Sequence, residues 1–344
     1  MSNLTGKSFL IRVDGSHAIG LGHIYRMKSL AKALQKNGNT IAFLTQSDEE
    51  AKKILKDSGF PCYEFKTQSF RDVLHTVNTK HKPDIILQDI LKTSTELMTM
   101  LRQCSSARII NFDDIGAGLK MADAVINCMV FHWEQYTSET VNTRLFEGPF
   151  YMIFQEEINS YIQLKRRIMN QAENILLTFG GTDTHYVTER AVEAINNFDG
   201  DLRIKVNIGP GGKISPNLQD AIKNSKHQIL LIQSAPSLIK EFHESDIVIC
   251  AGGIMLYELA ALGIPSISIA TEKHEIFNTN YWSDIGSTVS LGWEKEIDMN
   301  ILPVVLMNLH TDKIRRTKMS QSGKKAINNC GIPRIMKIFE ELNN

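Results

Sequence analysis

Short apolar runs rich in β-branched residues alternate with stretches of helical periodicity along almost the whole chain. The predicted strands of the first half are FLIRV (9–13), TIAFLT (40–45), CYEF (62–65), DIILQD (84–89), ARIINF (107–112) and DAVINC (123–128). Between the first two, Ile24, Met27, Leu30 and Leu34 recur at helical spacing and predict the buried face of a helix over 24–35. Strands that alternate with helices predict a parallel sheet covered by crossover helices.

The alternation begins afresh after a charged helical stretch at 155–173. The predicted strands of the second half lie in NILLTFGG (174–181), LRIKVNIG (202–209), QILLIQ (228–233), DIVICAGG (246–253) and PSISIA (265–270). We therefore predict a first domain over 1–150, a second over 170–310 and further helices over 311–344. The predicted fold class is α/β, with two Rossmann-like doubly wound domains that face a cleft, since such sheets bind ligands beyond the carboxyl ends of their strands.

Composition narrows the possible functions. The 344 residues carry 38 Lys plus Arg and 38 Asp plus Glu, so no net charge attracts nucleic acid or an anionic membrane. The five cysteines lack the paired spacing of zinc or redox motifs. No apolar run reaches the roughly 18 residues of a membrane span. We expect a cytoplasmic protein without nucleic acid, membrane insertion, metal or other cofactor, and the oligomeric state is left open.

The first loop with candidate chemistry is RVDGSHAIGLGHIYR, residues 12–26. Asp14 ends the strand, and Gly20 and Gly22 let the backbone turn and approach a ligand. His23 follows in the first helical turn, with Arg26 three residues further on the same face. Because a helix N-terminus disfavours imidazolium, we expect His23 to be neutral at pH 7 and able to accept a proton. It is a candidate general base; the alternative is a histidine that caps the helix or packs on the sheet.

A glycine turn follows the first strand of the second half. Gly180 and Gly181 expose N–H groups ahead of a predicted helix. Thr182 is placed to bond a phosphate or to cap that helix. The motif is weak when taken alone, since glycine turns end many strands.

Its counterpart is AGGIMLYE, residues 251–258. The helix N-terminus behind Gly252 and Gly253 suits a pyrophosphate, and Glu258, one turn along, can accept both hydroxyls of a ribose. Together the two turns predict a nucleotide site. The alternative is an ordinary strand-to-helix turn with a solvated Glu258.

Three other strand ends carry polar side chains with weaker signals. These residues are Asp89; Asp113 and Asp114; and His274, Glu275 and Asn278. Each can bind the hydroxyls of a sugar substrate or can instead cap the next segment. None of them has the spacing of a metal site.

Four segments resemble, in order, the UDP-2,4-diacetamido-2,4,6-trideoxy-β-L-altropyranose hydrolase family of the pseudaminic acid pathway. They are RVDGSHAIGLGHIYRMKSLAKAL (12–34), NFDD (111–114), LTFGGTD (177–183) and AGGIMLYELAALGIPSI (251–267). The pattern R-x-D followed by G-x-G-H-x-x-R is fairly specific, whereas the other segments are shared with GT-B glycosyltransferases. The resemblance implies a GT-B-like architecture, with UDP on the second domain, the sugar on the first, and the helices of 311–344 packed back on the first.

The resemblance also implies roles for the matched residues. His23 matches the family's histidine, which activates water for attack at the anomeric carbon with inversion and loss of UDP, and Asp14 matches the aspartate of the first loop. The matched nucleotide-binding residues are Gly180, Gly181, Thr182, Asp183 and Glu258. The chain departs from the family at His274-Glu275, where Asn-Gln is usual, and after Asp89, where aromatic or histidine neighbours are frequent. Both positions are expected to face the sugar or its phosphate, so the identity of the sugar is open.

Three functions are therefore considered. The first is an inverting UDP-sugar hydrolase, and the second is a GT-B glycosyltransferase that uses the same donor site and the same base. The segment VFHWEQY (130–136) has aromatics but no basic cluster for a lipid-linked acceptor, which favours water. The third, a non-catalytic protein that binds nucleotide-sugars, is disfavoured by the base-like position of His23.

Overall fold

A computed structural model describes residues 4–15, 22–129, 143–233, 235, 237–327 and 330–342. Gly20 and the segment VFHWEQY lie outside these ranges. The chain divides into two compact units. Unit 1 comprises Met1–Gln155 and Asn329–Asn344, and unit 2 comprises Glu156–Asn328.

Strands and helices alternate along the described residues, and the paired strands are parallel in both units. The strands are β1 (Ser8–Val13), β2 (Thr40–Gln46), β3 (Cys62–Phe65), β4 (Ile85–Asp89), β5 (Arg108–Phe112), β6 (Ala124–Asn127), β7 (Arg144–Glu147), β8 (Asn174–Thr178), β9 (Arg203–Ile208), β10 (Gln228–Gln233), β11 (Ile247–Ala251), β12 (Ser266–Ala270) and β13 (Thr288–Trp293). The helices are α1 (Gly22–Lys36), α2 (Glu49–Lys56), α3 (Phe70–His81), α4 (Thr95–Cys104), α5 (Ile158–Ile162), α6 (Val187–Ile195), α7 (Pro216–Lys223), α8 (Ile239–Glu244), α9 (Met255–Leu262), α10 (Glu275–Ile285), α11 (Ile301–Thr311), α12 (Lys313–Ala326) and α13 (Gly331–Leu342).

Each sheet reverses its strand order once. The sheet of unit 1 runs β3-β2-β1-β4-β5-β6-β7 and that of unit 2 runs β10-β9-β8-β11-β12-β13. The reversals fall between β1 and β4 and between β8 and β11, which are the points where doubly wound sheets bind ligands. His23 follows β1 and Asp89 ends β4, whereas Gly180 follows β8 and Gly252 follows β11. The candidate residues of each unit therefore flank its own reversal.

The predicted apolar face of α1 is confirmed. Ile24, Met27, Leu30 and Leu34 have no exposed surface, because they cover the sheet of unit 1. The helix itself is longer than predicted and begins at Gly22.

The last two helices belong to different units, α12 to unit 2 and α13 to unit 1. In unit 2, α12 packs on α9, where a Cβ at Gly323 would lie only 2.8 Å from Ala260 O. In unit 1, α13 contacts α1, and the rings of Phe9 and Phe339 are 5.8 Å apart. Every helix in the described ranges is too short or too polar to cross a bilayer.

Candidate active site

His23 and Asp89 form a pair at the strand reversal of unit 1. α1 begins at the exposed Gly22, and His23 follows with its Nδ1 2.7 Å from Asp89 Oδ1. Burial opposes the ionisation of Asp89, but Arg26 and His23 outweigh it and lower the pKa of Asp89 to about 2. An ionised carboxylate only accepts hydrogen bonds, so Nδ1 must carry a proton. In the neutral ring, Nε2 is then the proton acceptor, on a side chain that is 23 % exposed.

Arg26 binds the carboxylates of both neighbouring strand ends. Its Nε donates to Asp89 Oδ2 at 2.5 Å, Nη2 donates to Asp89 Oδ1, and Nη1 donates to Asp113 Oδ2. The predictions that Arg26 and Asp89 contact substrate therefore need correction. Both are buried, with 2 % and 1 % of their surface exposed, and their polar atoms are engaged with each other. They position His23.

The turn after β5 contains Asp113 and Asp114, and the prediction that they bind the sugar also needs correction. Asp113 has a left-handed backbone (φ 46°), is fully buried, and accepts from Arg26 and from Met129 N. Asp114 is also fully buried and accepts four hydrogen bonds, which use the capacity of a carboxylate. The donors are Thr93 N, Thr93 Oγ1, Asn111 Nδ2 and Gly116 N. Asp114 thus links the loops after β4 and β5 by hydrogen bonds, and its carboxylate oxygens are not available to a sugar.

Asp14 joins the ends of β1 and β2. It accepts from Gln46 N at 2.8 Å and from Arg12 Nη2 at 3.2 Å. The Arg12 guanidinium lies over the rings of Phe65 and Phe70, 5.2 and 4.7 Å from their centroids. Burial lowers the pKa of Arg12, and Asp14 opposes that shift. Arg12 was not singled out from the sequence, although it stands in the same motif two residues before Asp14.

In unit 2, a cavity of about 310 Å³ opens beyond the carboxyl ends of β8 and β9. Its lining includes Gly180, Thr182 and Asp183 of the predicted loop and Gly209, Gly211, Gly212 and Lys213 of a second loop. Sequence reasoning missed this second loop. The signal was present, because NIGPGGK (207–213) places glycines directly after a strand, as FGGTD does.

Asp183 has a helix-capping role that differs from its expected contact with the nucleotide. Its carboxylate accepts from Val187 N at 2.9 Å and from Thr188 N at 2.8 Å, at the start of α6. The residue adopts a left-handed backbone with φ 43°. It satisfies helix N–H groups that would otherwise lack acceptors.

Glu275 binds the turn that precedes α9 at the N–H group of Gly252. Glu275 Oε2 accepts from Thr271 N at 2.8 Å, from Thr271 Oγ1 at 3.0 Å and from Gly252 N at 3.3 Å. The residue is 9 % exposed. The prediction that Glu275 binds substrate is therefore replaced by a structural role, and Gly252 N–H is not free for a pyrophosphate.

Asn278 supports the same turn. It is 1 % exposed, its Nδ2 donates to Gly252 O, and its Oδ1 accepts from Tyr257 Oη at 2.6 Å. Burial therefore removes Asn278 from the expected substrate ligands. His274, one residue before α10, is exposed, and its side chain accepts no hydrogen bond from the N–H groups at the start of that helix.

Glu258 lies in the first turn of α9 and is partly buried. Burial, and then the charge of Glu157, raise the pKa of Glu258 to about 7. No group of three or more His, Cys, Asp or Glu within the described ranges is arranged to hold a metal ion.

These two sheets define an α/β fold of the GT-B type, which confirms the predicted class. Acinetobacter baumannii MurG has a similar structure, with a TM-score of 0.72, 14 % identity, and coverage of 97 % of this chain and 99 % of that protein. The S. aureus MnaA–UDP co-structure superposes with a TM-score of 0.66 at 13 % identity, covering 98 % and 97 % of the two chains. At these identities the likeness defines the fold alone.

In sequence, the chain is 27 % identical over 340 residues to the spore coat polysaccharide biosynthesis protein SpsG of Bacillus subtilis (strain 168), covering 96 % of this chain and 97 % of SpsG. It is 29 % identical over 269 residues to the uncharacterized protein MJ1062 of Methanocaldococcus jannaschii, covering 75 % of this chain and 54 % of that protein. It is also 23 % identical over 341 residues, or 89 % of each chain, to a UDP-N-acetylglucosamine–N-acetylmuramyl-(pentapeptide) pyrophosphoryl-undecaprenol N-acetylglucosamine transferase of Acinetobacter baumannii (strain ATCC 17978). No protein-family model matches the chain.

Proposed function

We propose that this protein is an enzyme of polysaccharide biosynthesis that acts on a nucleotide-sugar, and specifically an inverting hydrolase of a UDP-linked diacetamido-trideoxy sugar on a route to a pseudaminic-type acid. The observation that carries the proposal is the partly exposed His23, whose Nδ1 is held by the ionised Asp89 so that Nε2 can accept a proton. The similarity to SpsG supports polysaccharide biosynthesis. The GT-B fold, shared with the S. aureus MnaA protein of the UDP co-structure, supports the nucleotide.

The reaction needs a base more than it needs an acid, because UDP is already a good leaving group. Nε2 of His23 removes a proton from water while the water oxygen attacks the anomeric carbon. The bond from that carbon to the phosphate oxygen breaks on the opposite face, so the configuration inverts and UDP leaves with the electron pair. Asp89 stabilises the imidazolium, and Arg26 keeps Asp89 ionised. A positioned base of this kind contributes roughly 10²- to 10⁴-fold in rate.

The departing charge needs hydrogen-bond donors in a fixed position. We assign this role to backbone N–H groups of the loop after β8 in unit 2, and the ribose hydroxyls to Glu258. Asp14 and His274 are retained as candidate ligands of the sugar, because neither residue is fully buried.

A glycosyltransferase is the second candidate, and the similarity to the Acinetobacter transferase over 89 % of the chain favours it. His23 would then remove the proton from an acceptor hydroxyl instead of from water. The two reactions differ only in the nucleophile. The test must therefore be run without and with an acceptor.

The decisive experiment incubates the protein with a panel of UDP-sugars, including diacetamido-trideoxy hexoses, and follows UDP by ³¹P and the free sugar by ¹H NMR. Release of UDP without an acceptor, with the inverted anomer appearing first, is expected. His23→Gln should abolish turnover while UDP still binds. Turnover that requires an added acceptor would establish the transferase, and binding without turnover in either case would point to a non-catalytic protein.

A further inference from the structure

Two glycine loops of unit 2 are in direct backbone contact, and the second loop holds the carbonyl groups of the first in one orientation. The first is Gly180–Thr182, after β8, and the second is Gly209–Gly212, after β9. Gly211 N donates to Gly181 O at 2.9 Å. A Cβ at Gly209 would lie 2.5 Å from Gly181 O and would also collide with Gly180 O. The carbonyl oxygens of Gly180 and Gly181 are therefore both directed at the second loop, which approaches too closely for a side chain.

The orientation of these carbonyls determines where the N–H groups of the first loop point. In a trans peptide the C=O and the N–H that follows it are antiparallel. The N–H groups of Gly181 and Thr182 therefore point away from the second loop. Within the part of the chain that the structure describes, neither N–H has a hydrogen-bond acceptor. Two adjacent backbone donors without acceptors suit an anion.

We propose that the loop Gly209–Gly212 is a positioning element that aims the N–H groups of Gly181 and Thr182 at a phosphate of the bound nucleotide. The inference rests on the proposed function, since the ligand is the diphosphate of the same nucleotide-sugar. It gives Gly209, which lines the cavity, a positioning role that acts through the carbonyls of the first loop.

The test compares the affinities of UDP and uridine, because only UDP carries the phosphates. Gly209→Ala should weaken UDP binding about tenfold or more by calorimetry, which is the loss of one to two charge-assisted hydrogen bonds. Uridine binding, followed by ligand-observed NMR, should change less than about twofold. Gly200→Ala is the matched control, because Gly200 precedes the same strand β9, lies outside the cavity lining, and would place a Cβ 3.0 Å from the Phe198 ring on a strained backbone, so it should keep UDP affinity.

The outcomes separate the two proposals. If the unchanged protein binds neither UDP nor a UDP-sugar, the proposed function fails. If the unchanged protein binds UDP and Gly209→Ala binds UDP with the same affinity, the positioning role is overturned. The same holds if Gly209→Ala loses affinity for uridine to the same extent as for UDP. If Gly209→Ala does not fold, ¹⁵N amide spectra of the unchanged protein decide. UDP should shift the Gly181 and Thr182 resonances downfield and move Gly211, which is already bonded, much less; unmoved Gly181 and Thr182 resonances would overturn the inference.

Discussion

The imidazole Nδ1 of His23 lies 2.7 Å from Oδ1 of Asp89, a carboxylate with no exposed side-chain surface. The two residues are 66 positions apart and meet because β1 and β4 are neighbours where the sheet of unit 1 reverses. Asp89 also binds Arg26 through both oxygens. Replacing Asp89 therefore changes the base and the buried guanidinium together, and a control is needed to separate the two effects.

Asp89→Asn should lower kcat by about 10²- to 10⁴-fold, because the amide no longer stabilises the imidazolium and no longer fixes which nitrogen is protonated. Asp113→Asn is the matched control. It removes a carboxylate from the same Arg26 and leaves the pair of His23 and Asp89 intact. We expect both variants to lose free energy of unfolding, by about 3 to 5 kcal/mol, since each leaves a buried charge with fewer partners. Equal losses of kcat in both variants would assign the effect to packing and not to the base.

The contribution of Asp89 to the free energy of unfolding should decrease in acid. Burial opposes ionisation of Asp89, but Arg26 and His23 hold its pKa at about 2, below its usual range. A carboxyl group whose pKa is lower in the folded state contributes stability above its unfolded pKa and loses it as the pH falls through the folded pKa, here between about 4 and 2. The advantage of the unchanged protein over Asp89→Asn in urea unfolding should therefore shrink by about 1 kcal/mol between pH 6 and pH 3. A difference that stays constant over this range would contradict the assigned ionisation.

The strands β1 to β6 and β8 to β12 could be predicted from the sequence because apolar periodicity is a local property, whereas β7 and β13 were not predicted. The position of His23 in the first turn of α1 could be predicted for the same reason. The hydrogen bond between His23 and Asp89 could not be predicted, since that contact depends on which strands become neighbours in the sheet. Asp89, Arg26 and Asp113 were consequently interpreted as separate sugar ligands, although they form one buried network.

The polar residues at strand ends were predicted at the correct positions in the fold, but their predicted roles as ligands of the substrate were not correct. Asp114, Asp183 and Glu275 each accept backbone N–H groups of the loop or helix that follows a strand. Buried N–H groups of a loop need hydrogen-bond acceptors, and so do the hydroxyl groups of a ligand. A carboxylate after a strand is therefore equally typical of a residue that caps the next segment and of one that binds a ligand. The direction of the side chain decides between them, and the sequence does not contain it.

Position 275 offers a direct test of that distinction. Glu275→Ala should lower the free energy of unfolding by about 2 kcal/mol, because it leaves Thr271 N, Thr271 Oγ1 and Gly252 N without their acceptor. His274→Ala is the control from the adjacent, exposed position and should change stability by less than about 0.5 kcal/mol. Chemical denaturation measures both. If Glu275→Ala keeps full stability and loses only affinity for the sugar, the structural role is wrong.

Glu258 should make stability depend on pH in the opposite direction to Asp89. Burial and the charge of Glu157 raise the pKa of Glu258 to about 7 in the folded protein. Its protonated form is therefore favoured by folding, and the resulting stabilisation is complete below the unfolded pKa of about 4.5 and is lost as the pH rises through about 7. Relative to Glu258→Gln, which does not titrate, the free energy of unfolding of the unchanged protein should fall from pH 4.5 to pH 7 and then level off.

Glu157→Gln provides the control for the cause of this shift. It removes the neighbouring charge and leaves Glu258 in the same partly buried position, so the decline should end at a lower pH but should not vanish, because burial is the larger influence. Urea unfolding at half-unit pH steps, with Glu258→Gln as the common reference, measures both curves. Identical curves for Glu157→Gln and the unchanged protein would exclude Glu157 as a contributor. A difference from Glu258→Gln that does not vary with pH would mean that folding does not shift the pKa of Glu258, which would contradict the effect assigned to its burial.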